Sequence, residues 1–227
     1  GKDALSTNTL SSLNVAIGHS ALKTLSAGGS ETYNVAVGAN AGLSVTTGVE
    51  NTLIGSLAGD ALTDADFNVA LGSRALGADT LGSRSIAIGR STLGTQNFTT
   101  ATDAYNVAVG YEAGVAITTG TQNTIIGGLA GDALTDADFN VAVGVAALSG
   151  DTLGSKSVAL GYYTLATQNF TTATDVLNTA VGHNAGRQIT TGIENTIIGG
   201  LSGDALTDAD YNVALGHLAL SADTLGS

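Results

Sequence analysis

Cysteine and proline are absent from the 227 residues, and cations are scarce. Without cysteine the chain forms neither a disulfide nor a thiolate metal site, a silence that fits an extracellular protein and a cytosolic one alike. Without proline, nothing interrupts a continuous ladder of backbone hydrogen bonds. Seven lysines and arginines against 19 acidic residues leave a formal charge of −12. Nucleic-acid binding needs clustered Lys and Arg to neutralise phosphates, so this balance argues against that function class. No apolar run approaches the roughly 20 residues of a membrane helix, so the segment is not expected to insert into a membrane. Glycine is abundant, at 32 residues, but lacks the every-third-residue period of collagen.

What is present is a repeat. Asn106-Val107-Ala108-Val109-Gly110 is the clearest of twelve five-residue segments, whose relatives begin at Asn14, Asn34, Asn51, Asn68, Ser85, Asn123, Asn140, Ser157, Asn178, Asn195 and Asn212. From Asn34 the starts are spaced 17, 17, 17 and 21 residues, and the cycle then recurs. A leading stretch, 1–33, precedes two super-repeats, 34–105 and 106–177, and an incomplete third copy, 178–227. We read the whole as one repeat domain, because stacked units need touch only their neighbours. The chain opens Gly1-Lys2 and stops at Gly226-Ser227, just before the next segment is due, so more protein is expected beyond one or both ends.

Each segment is short, apolar and closed by glycine, which reads as a strand. A second short segment follows, such as Ala130-Gly131-Asp132-Ala133-Leu134, and a polar turn such as Thr118-Thr119-Gly120-Thr121-Gln122 returns the chain. The expected fold is all-β, a parallel β-solenoid or β-roll of about twelve coils of 17 or 21 residues, spaced about 4.8 Å apart. Alternate strand side chains face opposite sides, so Val107 and Val109 share one face and Ala108 takes the other. Both faces are apolar, the mark of burial on both. We expect one face to fill the coil and the small alanine column to meet partner chains in a homotrimer. The alternative is a monomer whose own turns cover the second face.

The pattern NVAIG at 14–18, NVAVGANAG at 34–42, NVAVGYEAG at 106–114 and NTAVGHNAG at 178–186 resembles two related groups. One is the head domain of trimeric autotransporter adhesins, a trimeric left-handed parallel β-roll. The other is the phage tail-fibre and surface proteins with A-I-G-x-x-A-G repeats. The resemblance runs through the whole chain, although adhesin heads use shorter coils. It implies an extracellular place, on a virion tail fibre or a bacterial cell surface, with a fibre or attachment role and no transferred active site.

Several residue columns invite functional readings. Asn34, Asn51, Asn68, Asn106, Asn123, Asn140, Asn178, Asn195 and Asn212 are expected to hydrogen-bond along the stack as a structural ladder. The glycine column reads as a corner of positive φ or close backbone approach. Before each Asn, Leu13, Tyr33, Phe67, Tyr105, Phe139, Leu177 and Tyr211 alternate with Glu50, Arg84, Gln122, Lys156 and Glu194. That alternation reads as packing at an edge between coils or subunits, with a carbohydrate platform as the alternative. The acidic turn Asp60, Asp64, Asp66 recurs as Asp132, Asp136, Asp138 and as Asp204, Asp208, Asp210. Its spacing is a weak calcium candidate, although it matches no EF-hand loop, and a solvated turn explains it as well. His19, His183, His217, Tyr111, Tyr162 and Arg90 share a variable column expected to face solvent.

The leading function is therefore a structural shaft or head segment of a trimeric extracellular fibre, not an enzyme and without a cofactor. A glycan- or receptor-binding module is the alternative, with Tyr111, Tyr162 and the long turns 94–105 and 166–177 as contacts. Phe98 and Phe170 sit in those turns either as clamps on an adjacent coil or chain or as ligand contacts. Ice binding is weaker still, because the pairs Thr46-Thr47, Thr118-Thr119 and Thr190-Thr191 recur only every fourth coil. A glycosidase would need paired carboxylates across chains.

Overall fold

A computed structural model describes residues 1–225. It is a parallel β-solenoid without helices, and its contacts cluster into two units, Gly1–Glu112 and Ala113–Ser227. In the first unit the core strands are β1 (Val15–Ile17), β2 (Val35–Val37), β3 (Thr52–Ile54), β4 (Val69–Leu71), β6 (Ile86–Ile88) and β8 (Val107–Val109). In the second they are β9 (Thr124–Ile126), β10 (Val141–Val143), β12 (Val158–Leu160), β14 (Thr179–Val181), β15 (Thr196–Ile198) and β16 (Val213–Leu215). Within each unit every core strand pairs in parallel with the next and in full register, Ala36 opposite Leu53 and Ala142 opposite Ala159.

The second segment of each coil is not a strand. Ala113–Ile117 and Ala130–Leu134 run as turns, so an ordinary coil has one three-residue strand and otherwise turns. Each 21-residue coil adds a two-residue strand that pairs with one at the end of the 17-residue coil before it: β7 (Thr102–Asp103) with β5 (Gly82–Ser83), and β13 (Thr174–Asp175) with β11 (Gly154–Ser155). The additional residues protrude as exposed loops at Thr99–Ala101 and Thr171–Ala173.

Four columns of positive φ recur in every coil: the corner glycine, the residues two and four after it, and the residue before each strand's leading Asn or Ser. The glycine closing each strand has φ between 124° and 143°. A Cβ at Gly38 would lie 2.4 Å from the carbonyl oxygen of Gly55, so no larger residue fits. The residue before each strand's Asn has φ between 51° and 65°, although none is glycine. A non-glycine residue pays steric strain there, which neighbouring contacts must offset.

The interior is filled by complementary sizes. Where the fourth residue after the corner is glycine, the strand centre or the seventh residue is large: a Cβ at Gly59 would meet both Leu53 and Leu62 at 2.8 Å. Where the fourth residue is leucine the strand centre is alanine; after Leu76, Leu93, Leu148 and Leu165 the seventh residue is Asp79, Gln96, Asp151 or Gln168, whereas after Leu22 it is Leu25, all buried.

This narrow interior corrects the expected direction of the strand faces. The central residues Ala36, Ala70, Ala87, Ala108, Ala142 and Ala159 point inward and are fully buried, as are the larger centres Leu53, Ile125 and Ile197 in coils with glycine four residues after the corner. The flanking Val, Ile, Leu and Thr side chains point outward.

Candidate functional site

The outward face of the strands is aliphatic where a solvent-facing sheet would alternate to polar. In the first unit it carries eleven Val, Ile or Leu side chains and Thr52; in the second, nine and three threonines. Their exposure is graded, from half-buried Val107 and Val109 to Leu215 at 76% on the last strand. Beside this face runs the edge column. Tyr33, Phe67, Tyr105, Phe139, Leu177 and Tyr211 are exposed there and so do not belong to the core of the coil. Arg84 lies 4.7 Å from the ring centre of Phe67 and 5.9 Å from that of Tyr105, and pairs with Asp103 at 2.9 Å. The Tyr33 hydroxyl donates to Glu31, which together with local desolvation holds the phenol above its ordinary pKa.

The asparagines sit inside the corner. Asn51 N–H donates to Asn34 Oδ1 at 2.9 Å, Asn68 N–H to Asn51 Oδ1 at 3.0 Å, and each Nδ2 reaches a carbonyl 14 residues on. The second unit repeats this with Asn140 on Asn123, Asn195 on Asn178 and Asn212 on Asn195. Serine breaks the ladder at Ser85 and Ser157, and the structure shows the replacement. Gln96 Nε2 donates to Ser85 Oγ at 3.1 Å, while its Oε1 accepts Asn106 Nδ2 at 2.9 Å. Gln168 bridges Ser157 and Asn178 at the same distances. Each glutamine also donates to a buried carboxylate at 2.5 Å, Asp79 or Asp151. Asp79 Oδ1 accepts the N–H groups of Gly82 and Phe98, and Asp151 those of Gly154 and Phe170. Phe98 and Phe170, 6% and 8% exposed, close over these networks, and neither offers a free ring face.

Five carboxylates of the acidic turns are engaged by neighbouring coils, whereas Asp204 Oδ1 is buried without a hydrogen-bond partner. Asp66, Asp138 and Asp210 accept the N–H of Val49, Thr121 and Ile193 at 2.6–2.8 Å, and Asp64 and Asp136 accept the hydroxyls of Thr47 and Thr119. Among the described residues no group of three or more His, Cys, Asp or Glu could hold a metal ion. The threonines form a column that pair-counting misses. Thr46 donates to the Thr63 carbonyl, Thr63 to that of Thr80, Thr118 to that of Thr135, Thr135 to that of Thr152 and Thr190 to that of Thr207. These hydroxyls are spent on the ladder, and the adjacent column, Thr47, Asp64, Leu81 and Phe98, is not a second threonine rank.

The remaining wall holds the first, second, fifth and sixth positions after each corner glycine. The two super-repeats differ at 22 of 72 positions, and 12 of those fall in these four columns, which hold only 16 positions. Divergence is thus concentrated where side chains meet solvent. One cavity on this wall, of about 300 Å³, is lined by Leu57, Asp60, Arg74, Gly77, Ala78 and Gly94. Burial raises the Asp60 pKa, partly countered by a backbone hydrogen bond and by Arg74. In the same unit Arg90 donates to Tyr111 Oη at 3.2 Å and to Glu112 Oε1 at 3.0 Å. In the second unit the Tyr162 and His183 rings stack at 5.3 Å and 11°, and Tyr162 and Tyr163 meet at 4.5 Å. Arg187 lies 5.5 Å from the Tyr163 ring centre. Tyr162, Tyr163, Asn184 and Arg187 line a cavity of about 230 Å³. Asn184 Oδ1 is buried there without a hydrogen-bond partner, a condition that typically costs about 1–3 kcal/mol.

Among the described residues no helix is long and apolar enough to cross a membrane. In comparisons with known proteins, no family model, curated protein or solved structure matches the chain.

Proposed function

We propose that this chain is a structural shaft or head segment of a homotrimeric extracellular fibre, on a phage tail or a bacterial surface, contributing to attachment to a host or cell surface. The observation that carries the reading is the outward aliphatic face of the core strands. In the first unit twelve strand side chains and the edge residues Leu13, Tyr33, Phe67 and Tyr105 make sixteen outward groups. At on the order of 50 Å² exposed for each, the unit presents roughly 800 Å², the per-partner area of a stable complex. A patch of that size is more than a soluble monomer ordinarily leaves open. Two further copies around a common axis cover it symmetrically. The role is mechanical, and the in-register strands and buried side-chain ladders supply stiffness.

Sedimentation equilibrium at micromolar concentration is expected to give three chains. A single chain at every concentration would end the assembly reading. A second reading, a wall that binds a glycan or receptor directly, is favoured by the concentration of repeat differences on the wall after the corner glycine.

A further inference from the structure

The geometry points to a binding site for an acidic sugar, a pyranose ring bearing a carboxylate, formed by Tyr162, Tyr163, His183, Asn184 and Arg187. This deepens the attachment reading and rests on it for where such a sugar would be met, but not for the site itself.

The argument starts from charge. Residues 113–227 hold ten Asp and Glu but only two cations besides histidine, Lys156 and Arg187. Lys156 is paired with Asp175 at 2.6 Å. Arg187 makes no salt bridge among the described residues; its guanidinium lies over Tyr163. A guanidinium left open beside a cavity in so acidic a unit is a receptor for a carboxylate, which it binds in a two-pronged fashion.

The aromatic rings say what carries the carboxylate. A bare anion needs only the cation. Here Tyr162 is 49% exposed, stacks on His183 and touches Tyr163, so apolar ring surface adjoins the charge. A sugar offers C–H groups to such surface and hydroxyls to polar neighbours. The cavity of about 230 Å³ suits one ring. Asn184 lines the cavity as a polar neighbour, although its Oδ1 is buried and out of a ligand's reach. The net negative charge of the unit repels polyanions at long range. The expected ligand is therefore a single acidic residue within an otherwise neutral glycan.

The corresponding place in the other super-repeat shows the closed alternative. Tyr162, His183 and Asn184 stand where Arg90, Tyr111 and Glu112 stand 72 residues earlier. There the cation is satisfied by its own neighbours, at 3.2 and 3.0 Å. The wall is also distinct from the outward strand face, so assembly through that face leaves it reachable.

The test is NMR titration of the full chain with methyl β-glucuronide and its neutral twin, methyl β-glucoside. Amide shifts at Tyr162, Tyr163, Asn184 and Arg187 are expected with the acid, at about tenfold lower concentration than with the neutral sugar. Arg187→Gln should erase that preference, Tyr162→Ser should weaken both sugars with thermal stability unchanged, and Arg90→Gln should alter neither. Equal response to the two sugars, shifts that map elsewhere, or an Arg187→Gln variant that keeps the preference would overturn the site. A trimer that ignores the acid removes this site and leaves the shaft; a monomer that binds it removes the assembly and leaves the site.

Discussion

The buried network and the wall outside it repeat with the same period but not with the same fidelity. Asp79, Gln96 and Asn106 recur as Asp151, Gln168 and Asn178 with matching bond lengths. The wall positions Arg90, Ser91 and Glu112 recur as Tyr162, Tyr163 and Asn184, with charge and size changed. The difference lies in what each side chain supports. A network residue completes hydrogen bonds of adjacent coils, so a change leaves buried groups unpaired. A wall residue meets solvent, and its replacement costs the fold little.

That contrast is broken most severely from the inside. Asp151→Ala strips two backbone N–H groups and the Gln168 amide of their acceptor, and denaturant melts should show a loss on the order of 4 kcal/mol. Phe170→Ala uncovers the same network and removes a buried ring, an expected loss of roughly 3 kcal/mol by the same measurement. On the exposed edge, Arg84→Ala removes one ion pair and two ring contacts and is expected to cost less than about 1 kcal/mol, less still at high salt. The smallest effect concerns Asp60. Burial raises its pKa, so the folded chain binds that proton more tightly than the unfolded chain does. Keeping the carboxylate ionised therefore costs stability at neutral pH, and the cost fades as pH falls through the raised pKa toward the ordinary carboxylate value, below which it is gone. Asp60→Asn should melt slightly higher than the parent at neutral pH, with the gap closing in acid.

Much of this architecture was legible because a solenoid writes its fold as a period. The twelve segments locate the core strands, and the positive-φ glycine corner follows from a glycine at every strand end. The strand faces were not legible. Alanine in Asn106–Gly110 can be read as a small interface residue or as a small core residue, and only the full burial of Ala108 decides for the core. The buried polar network escaped because Asp79 and Gln96 look like turn residues. Its signal is the pairing of leucine four residues after the corner with Asp or Gln at seven in both super-repeats, which the leading coil, with Leu22 and Leu25, does not share. The threonine column is invisible in adjacent Thr-Thr pairs and shows only along one position of successive coils, Thr46 to Thr63 and Thr118 to Thr135.

The central claim, that the outward strand face is covered by further copies of the chain, is tested most directly by thiol labelling. The chain has no cysteine, so single substitutions report on a clean background. Val143 points outward on β10, and Val145, two residues on, is 48% exposed on the neighbouring wall. Val145→Cys should label as fast as an unfolded peptide. Val143→Cys should stay protected in native buffer and label only when the assembly is dissociated. Equal, rapid labelling at both positions would contradict the account.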